Sequence, residues 1–298
     1  MLQDFIGAIS LGLIWAVMAI AIYITYKILD IADMTVEGSI TMGAAISAIC
    51  ISNGMNPYLT LILAFCGGLC AGFVTGFFHT ILKIPALLSG ILTMLALYSV
   101  NLRIMGKANV SLLKMDTVFT PFENLGLSKN LAVIAVMVII VGILIAALYW
   151  FFGTELGCAI RATGNNRKMA RAQGINTNAN VVLGLMVSNG LVALSGGLLA
   201  QFQGSSDINM GRGAIVIGLA AVIIGEVAFG KLFGNFALKL LGVAIGAVIY
   251  YIVLQIVLQL GLNTNDLKLV SALIVAVFLA IPYWKSHIHT KKGGSVHA

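Results

Sequence analysis

The sequence predicts an all-α, polytopic integral membrane protein of about nine transmembrane helices (8–10), N-terminus outside and C-terminus in the cytoplasm. Three observations carry this. Of 298 residues, 60% are hydrophobic and only 9% charged, where a soluble domain carries about 25% charged residues; mean hydropathy is +1.05. The apolar residues form uncharged runs, and about 20 of them in a helix cross roughly 30 Å of hydrocarbon. Lys and Arg, finally, gather on alternate connections.

The spans follow in order. The chain opens on MLQDFIG, without a basic leader and cleavage site, so the first apolar run is expected to stay in the bilayer. Phe5–Tyr26 is that first span. Gly38–Phe78 is uncharged and too long for one helix, and the turn signal NGMNP at Asn53–Pro57 divides it in two. Pro85–Leu102, Leu131–Phe152 and Ala179–Gln201 are the fourth to sixth. Gly213–Gly230 is short and carries Glu226, Leu240–Leu260 is the eighth, and Leu269–Trp284 completes the set. Residues 1–285 thus read as one transmembrane domain, with an outer loop over 101–130, a cytoplasmic segment over 153–178, and a basic tail over 286–298. The tail, at an anionic inner surface, explains its own Lys and His without a metal site.

Orientation rests on the segment 153–178, which sets Arg161, Arg167, Lys168 and Arg171 against one acid, Glu155. With it inside, alternation also places Lys27, Lys83, Lys231, Lys239, Lys285, Lys291 and Lys292 inside. Arg103, Lys107, Lys114, Lys129, Arg212 and Lys268 fall outside, the minority of the 17 cations. Asp30, Asp33 and Glu37 make the first inside loop acidic, but acids weigh little in this rule.

Two fragments imitate nucleotide motifs. GEVAFGKL (Gly225–Leu232) fits a phosphate loop except that Leu232 stands where a magnesium-holding hydroxyl belongs. LSGG (Leu194–Gly197) lies mid-span, where small residues let helices approach closely. Strands between membrane helices would strand backbone polar groups in lipid. Both fragments therefore read as packing glycines, and no cofactor is expected to bind this chain directly.

The soluble segment GTELGCAIRATGNNRKMARAQGINTN holds a helical patch, a break at GNN, and a second patch ended by Gly174 after a basic turn. It is either a solvated topology loop or a docking element. Glu155-Leu156-Gly157, then Arg161-Ala162, Asn165, Ala170 and Gly174-Ile175-Asn176, resemble the cytoplasmic coupling segment of permeases in the branched-chain amino acid and simple-sugar ABC importer family. The resemblance runs over roughly Val36–Phe278, through GLVALSGGLLA and the Gly-rich stretch Gly211–Gly242. TVEGSITMGAAISA and LSGILTMLALYSVNLRIMG are most similar to the permease group often assigned to aromatic amino acids or left without a substrate.

That resemblance implies a non-catalytic permease subunit of the bacterial inner membrane. It would pair with a second, identical copy, two cytoplasmic ABC ATPases that hold ATP–Mg, and an external binding protein that delivers a small polar solute. It also implies that Ala159, Arg161, Gly164, Asn165, Arg167, Lys168, Arg171 and Gly174 form the ATPase-coupling surface. Nucleic acid has no part in it.

Candidates for the solute path are the neutral polar residues in spans: Tyr98, Asn101, Asn189, Gln255 and Gln259. Each has the alternative of bonding a neighbouring helix. Glu226 is either an interfacial acid or a gate, and His79 and Lys83 read as interfacial anchors. Cys66 and Cys70 share a helix face without the partners a metal site needs. Two other classes stay in view: an ion-coupled secondary transporter, which would need mid-membrane carboxylates, and a scaffold protein without transport.

Overall fold

The computed structural model describes residues 2–126, 128–230 and 234–259, together with 269, 272–273, 275–277 and 280. Helices dominate: α1 (Leu2–Tyr23) continues into a π-helical turn (Ile24–Ile28), followed by α2 (Val36–Ser52), α3 (Pro57–Thr80) and α4 (Ala86–Met105). After a short strand β1 (Asn109–Ser111) come α5 (Thr120–Glu123), α6 (Lys129–Gly153), α7 (Glu155–Asn165), α8 (Arg167–Ala172) and α9 (Thr177–Gln203). Strand β2 (Ser205–Asp207), α10 (Ala214–Phe229) and α11 (Phe236–Gln259) complete the order. Among the described residues, six helices are long and apolar enough to cross a bilayer, and α2 and α10 are shorter apolar ones. The expected span Leu269–Trp284 falls largely outside the described residues, as do Lys231 and Leu232 of the phosphate-loop look-alike.

The expected turn at Asn53–Pro57 divides α2 from α3 for a local reason. Asn56 caps α3 by accepting from Tyr58 N, and Pro57 occupies the first helical turn, where its missing N–H costs nothing. The chain then shuttles between two ends. One carries α7 and α8; the other carries the antiparallel pair of strands β1 and β2, in which Val110 faces Ser206. The loop 101–130 contains the short helix α5, and the strand pairing ties it to the chain beyond α9.

Helix α9 is the axis of the bundle, buried along most of its length. Helices α2 and α3 reach it through glycines. A Cβ at Gly43 would overlap the Ala193 carbonyl, and one at Gly196 the Ile40 carbonyl, so backbone meets backbone on both sides of that crossing. LSGG thus packs as its small residues imply, and Ser195 Oγ donates to Ile14 O at 3.0 Å. Gly225 of GEVAFGKL behaves alike, since a Cβ there would come within 2.6 Å of Gly242 O.

The connection from α1 to α2 corrects the sequence reading. Instead of an acidic loop lying wholly at the α7 end, residues 29–35 fold back into the bundle, with Leu29, Ile31, Asp33 and Thr35 buried. Only Asp30 of the three acids stays exposed beside the coupling segment. Helix α2 therefore begins at Val36, level with the midpoint of α9, and its 17 residues fall short of a full span, with an irregular lead. Non-helical backbone at such depth is tolerated where protein surrounds it. Here Leu29 N bonds Ile24 O and Ile31 N bonds Thr25 O, so the π-turn absorbs part of the break.

Candidate functional site

At the α7 end, three side-chain caps shape a hook. Thr154 Oγ1 accepts from Gly157 N to start α7, Asn166 Oδ1 from Met169 N to start α8, and Asn176 Oδ1 from Ala179 N to start α9. The break falls at Asn166 within the expected GNN, and Gly174 closes the hook at φ +79°. One face of the hook is fixed to the bundle: Gly157, Ile160, Thr163 and Ala170 are buried. Gly164 sits so close to the π-turn that a Cβ would collide with the Ile28 carbonyl.

The other face is open. Arg161, Asn165, Lys168, Arg171 and Gly174 are exposed, Ala159, Gly164 and Arg167 half-buried. Arg161 lies over the Phe236 ring at 5.7 Å, and Arg171 Nε donates to Thr177 Oγ1 at 2.8 Å, bracing α8 to α9. Of the alanines that look suited to a partner's groove, Ala170 instead faces the bundle, while Ala162 and Ala172 face out. Leu156 and Met169, 55% and 62% exposed, add the apolar content the sequence reading missed. Nothing in a helical period distinguishes them from core residues; only the seating of α7 and α8 does.

Glu226 joins this end by an ion pair with Lys27 of the π-turn, Nζ to Oε1 2.9 Å. Both side chains are substantially solvated, so the pair contributes little energy, but it links α10 to α1. His79 Nδ1 lies 2.9 Å from Ile84 O, closing the turn after α3.

Nearer the β1–β2 end, α2, α4 and the chain entering α10 enclose an open cleft of about 480 Å³. Tyr98 and Asn101 line it, joined by Glu37, Thr41, Leu95 and Arg212. Asn101 is 1% exposed; its Nδ2 donates to Gly38 O at 3.1 Å, while its Oδ1 has no partner among the described residues. Glu37 Oε1 accepts from Gly213 N at 2.9 Å, a carboxylate set at the N-terminus of α10, where the helix dipole favours it.

The other three path candidates lie elsewhere. Asn189 is fully buried and spans helices: its Nδ2 donates to Asp33 Oδ2 at 2.7 Å and its Oδ1 accepts from Ser39 Oγ at 2.6 Å. It is a brace, because both ends of its amide are committed. Asp33 Oδ1 in turn accepts from Thr35 N at 2.9 Å, just ahead of the positive end of α2. Gln255 lines a separate hollow between α1 and α11 beside Asp4 and Leu11, and Gln259 is exposed at the end of α11. Among the described residues, no cluster of three His, Cys, Asp or Glu is placed to hold a metal ion.

A bundle of membrane-crossing helices, with shorter helices meeting at an interior cleft and a capped basic hook at one end, defines a membrane transport subunit. The comparisons name the class. The chain belongs to the family of permease components of branched-chain amino acid transport systems, whose profile matches residues 5–282. It is 41% identical, over 94% of its length and 91% of the relative's, to the tyrosine transport system permease protein of Clostridioides difficile (strain R20291). The ribose import permease protein RbsC of Escherichia coli (strain K12) is 24% identical over 84% of this chain and 76% of that one. A solved ABC transporter of the metal-chelate type, in an inward-facing conformation, shares the fold with a TM-score of 0.50, at 15% identity over 95% of this chain and 85% of that one. The chain is thus a non-catalytic permease component of an ABC importer, a multi-pass protein of the bacterial inner membrane.

Proposed function

We propose that two copies of this chain form the path of an ATP-driven importer for an amino acid, aromatic ones included, with the α7–α8 end in the cytoplasm. The hook carries this reading. It is a capped helical element whose inner face is wedged against the π-turn and α9, while its outer face offers Leu156 and Met169 among Arg161, Lys168 and Arg171. An ATPase gripping that face would push on Gly164 and, through the Ile28 carbonyl, on α1 without slack. ATP–Mg belongs to two partner ATPases. An external binding protein would deliver solute at the β1–β2 end, over the loop 101–130, and the cleft near Asn101 would be a stretch of the path. The amino-acid assignment is supported by the tyrosine-named relative.

Asp33 gives the ion-coupled alternative its one foothold, a buried carboxylate near the middle of the bundle. Yet both its oxygens are occupied by Thr35 N and Asn189 Nδ2. The test is uptake by proteoliposomes containing permease, ATPase and loaded binding protein. ATP-dependent uptake lost in Leu156→Glu together with ATPase retention supports the proposal; uptake following a proton or sodium gradient without ATP overturns it.

A further inference from the structure

The cleft between α2, α4 and the start of α10 places an acid and a base on one largely apolar wall. Glu37 and Arg212 both line it, yet neither is ion-paired with the other or with any described residue. Glu37 spends one oxygen on Gly213 N and keeps Oε2 for another donor. Asn101, buried to 1% exposure, lines the same space, and its Oδ1 has no partner among the described residues. Buried amide oxygens are almost always satisfied, so this one is an acceptor waiting for a donor. Around these groups lie Leu95 and Tyr98, 60% and 45% exposed. The cleft's volume, about 480 Å³, is in the range of small-molecule sites, roughly 300–1,000 Å³.

From this geometry we infer that the permease itself reads the charged head of its solute: the cleft is a subsite for a zwitterionic α-amino acid. Arg212 takes the α-carboxylate, for which its planar fork is suited. Glu37 Oε2 and Asn101 Oδ1 take the α-ammonium, and Leu95 and Tyr98 take the side chain. A neutral sugar would give neither charge a counterpart. The two charges thus separate the possibilities left by relatives named for tyrosine and for ribose. The inference rests on the proposal that the cleft belongs to the solute path.

The experiment uses the complete transporter in proteoliposomes, with the twenty protein amino acids and ribose as labelled probes. The parent is expected to take up an amino acid. Arg212→Gln and Glu37→Gln are each expected to slow that uptake at least 10-fold while retaining ATPase binding and thermal stability, and the double reversal Glu37→Arg with Arg212→Glu is expected to exceed either single reversal. Leu95→Cys separates the inference from its premise, read against a parent that keeps its native cysteines. If a bulky thiol reagent stops Leu95→Cys uptake but Arg212→Gln and Glu37→Gln transport normally, the cleft is on the path and the zwitterion subsite is wrong. Full uptake after labelling Leu95→Cys removes the path and the subsite together, and a parent that imports ribose and no amino acid overturns the subsite.

Discussion

Replacing Asn189 by Leu tests the brace that holds helix α2 in the bundle. Leu fills similar space but leaves Asp33 Oδ2 and Ser39 Oγ, now bonded at 2.7 and 2.6 Å, without partners in a fully buried position. A hydrogen bond to a charged group is worth about 1.5–3 kcal/mol and a neutral one about 1, so the loss is about 3 kcal/mol. At about 2–4 °C per kcal/mol for a chain near this size, the unfolding midpoint should fall by about 6–12 °C. The assay is thermal unfolding of the purified permease in detergent. The swapped pair Asp33→Asn with Asn189→Asp supplies the specificity control. It preserves Thr35 N to residue 33, residue 33 to residue 189, and Ser39 Oγ to residue 189, reverses the amide direction, and gives up the bond from residue 189 to Leu185 O, 3.0 Å in the parent. It should recover more than half of the loss. A midpoint for Asn189→Leu within 2 °C of the parent, or no recovery in the swap, would refute the brace.

Gly43→Val should prevent accumulation of folded protein, because its side chain has no room beside the Ala193 carbonyl, whereas Gly142→Val, with nothing within 4 Å, should leave expression and midpoint unchanged. Leu156→Glu and Met169→Glu should lower ATPase retention in pull-downs at least 10-fold without shifting the midpoint, since both side chains lie mostly in solvent. Gly164→Val should do the reverse of those surface changes: ATPase still binds, but ATP-dependent uptake drops, as the added methyls displace α7 from the Ile28 carbonyl.

Much of this was legible from hydrophobic runs. The long spans, the division at Asn53–Pro57 and the broken hook announce themselves through length, Pro and capping residues, which act locally. Tyr98 and Asn101 could be nominated because neutral polar residues in a span need some partner. Their company could not. Glu37 and Arg212 looked like loop charges, and only the fold-back of 29–35 and the descent of the chain before α10 bring them to one cleft. For Asn189 the sequence leaves two roles open, lining the path or bonding a neighbouring helix, for a related reason. A mid-span amide bonds whatever the tertiary fold presents, and here that is Asp33, 156 residues away in sequence. The pairing of β1 and β2 left no trace either, since three-residue strands carry no usable alternation.

The sidedness of the hook decides whether energy from a cytoplasmic ATPase can enter at α7 and α8. Cys158 is exposed on α7 and reports it directly. A membrane-impermeant maleimide, compared between intact cells and inverted inner-membrane vesicles with Cys158→Ser as the blank, should modify Cys158 in the vesicles alone. Modification in intact cells would put the hook on the outer face, out of reach of any ATPase, and would contradict the proposed mechanism.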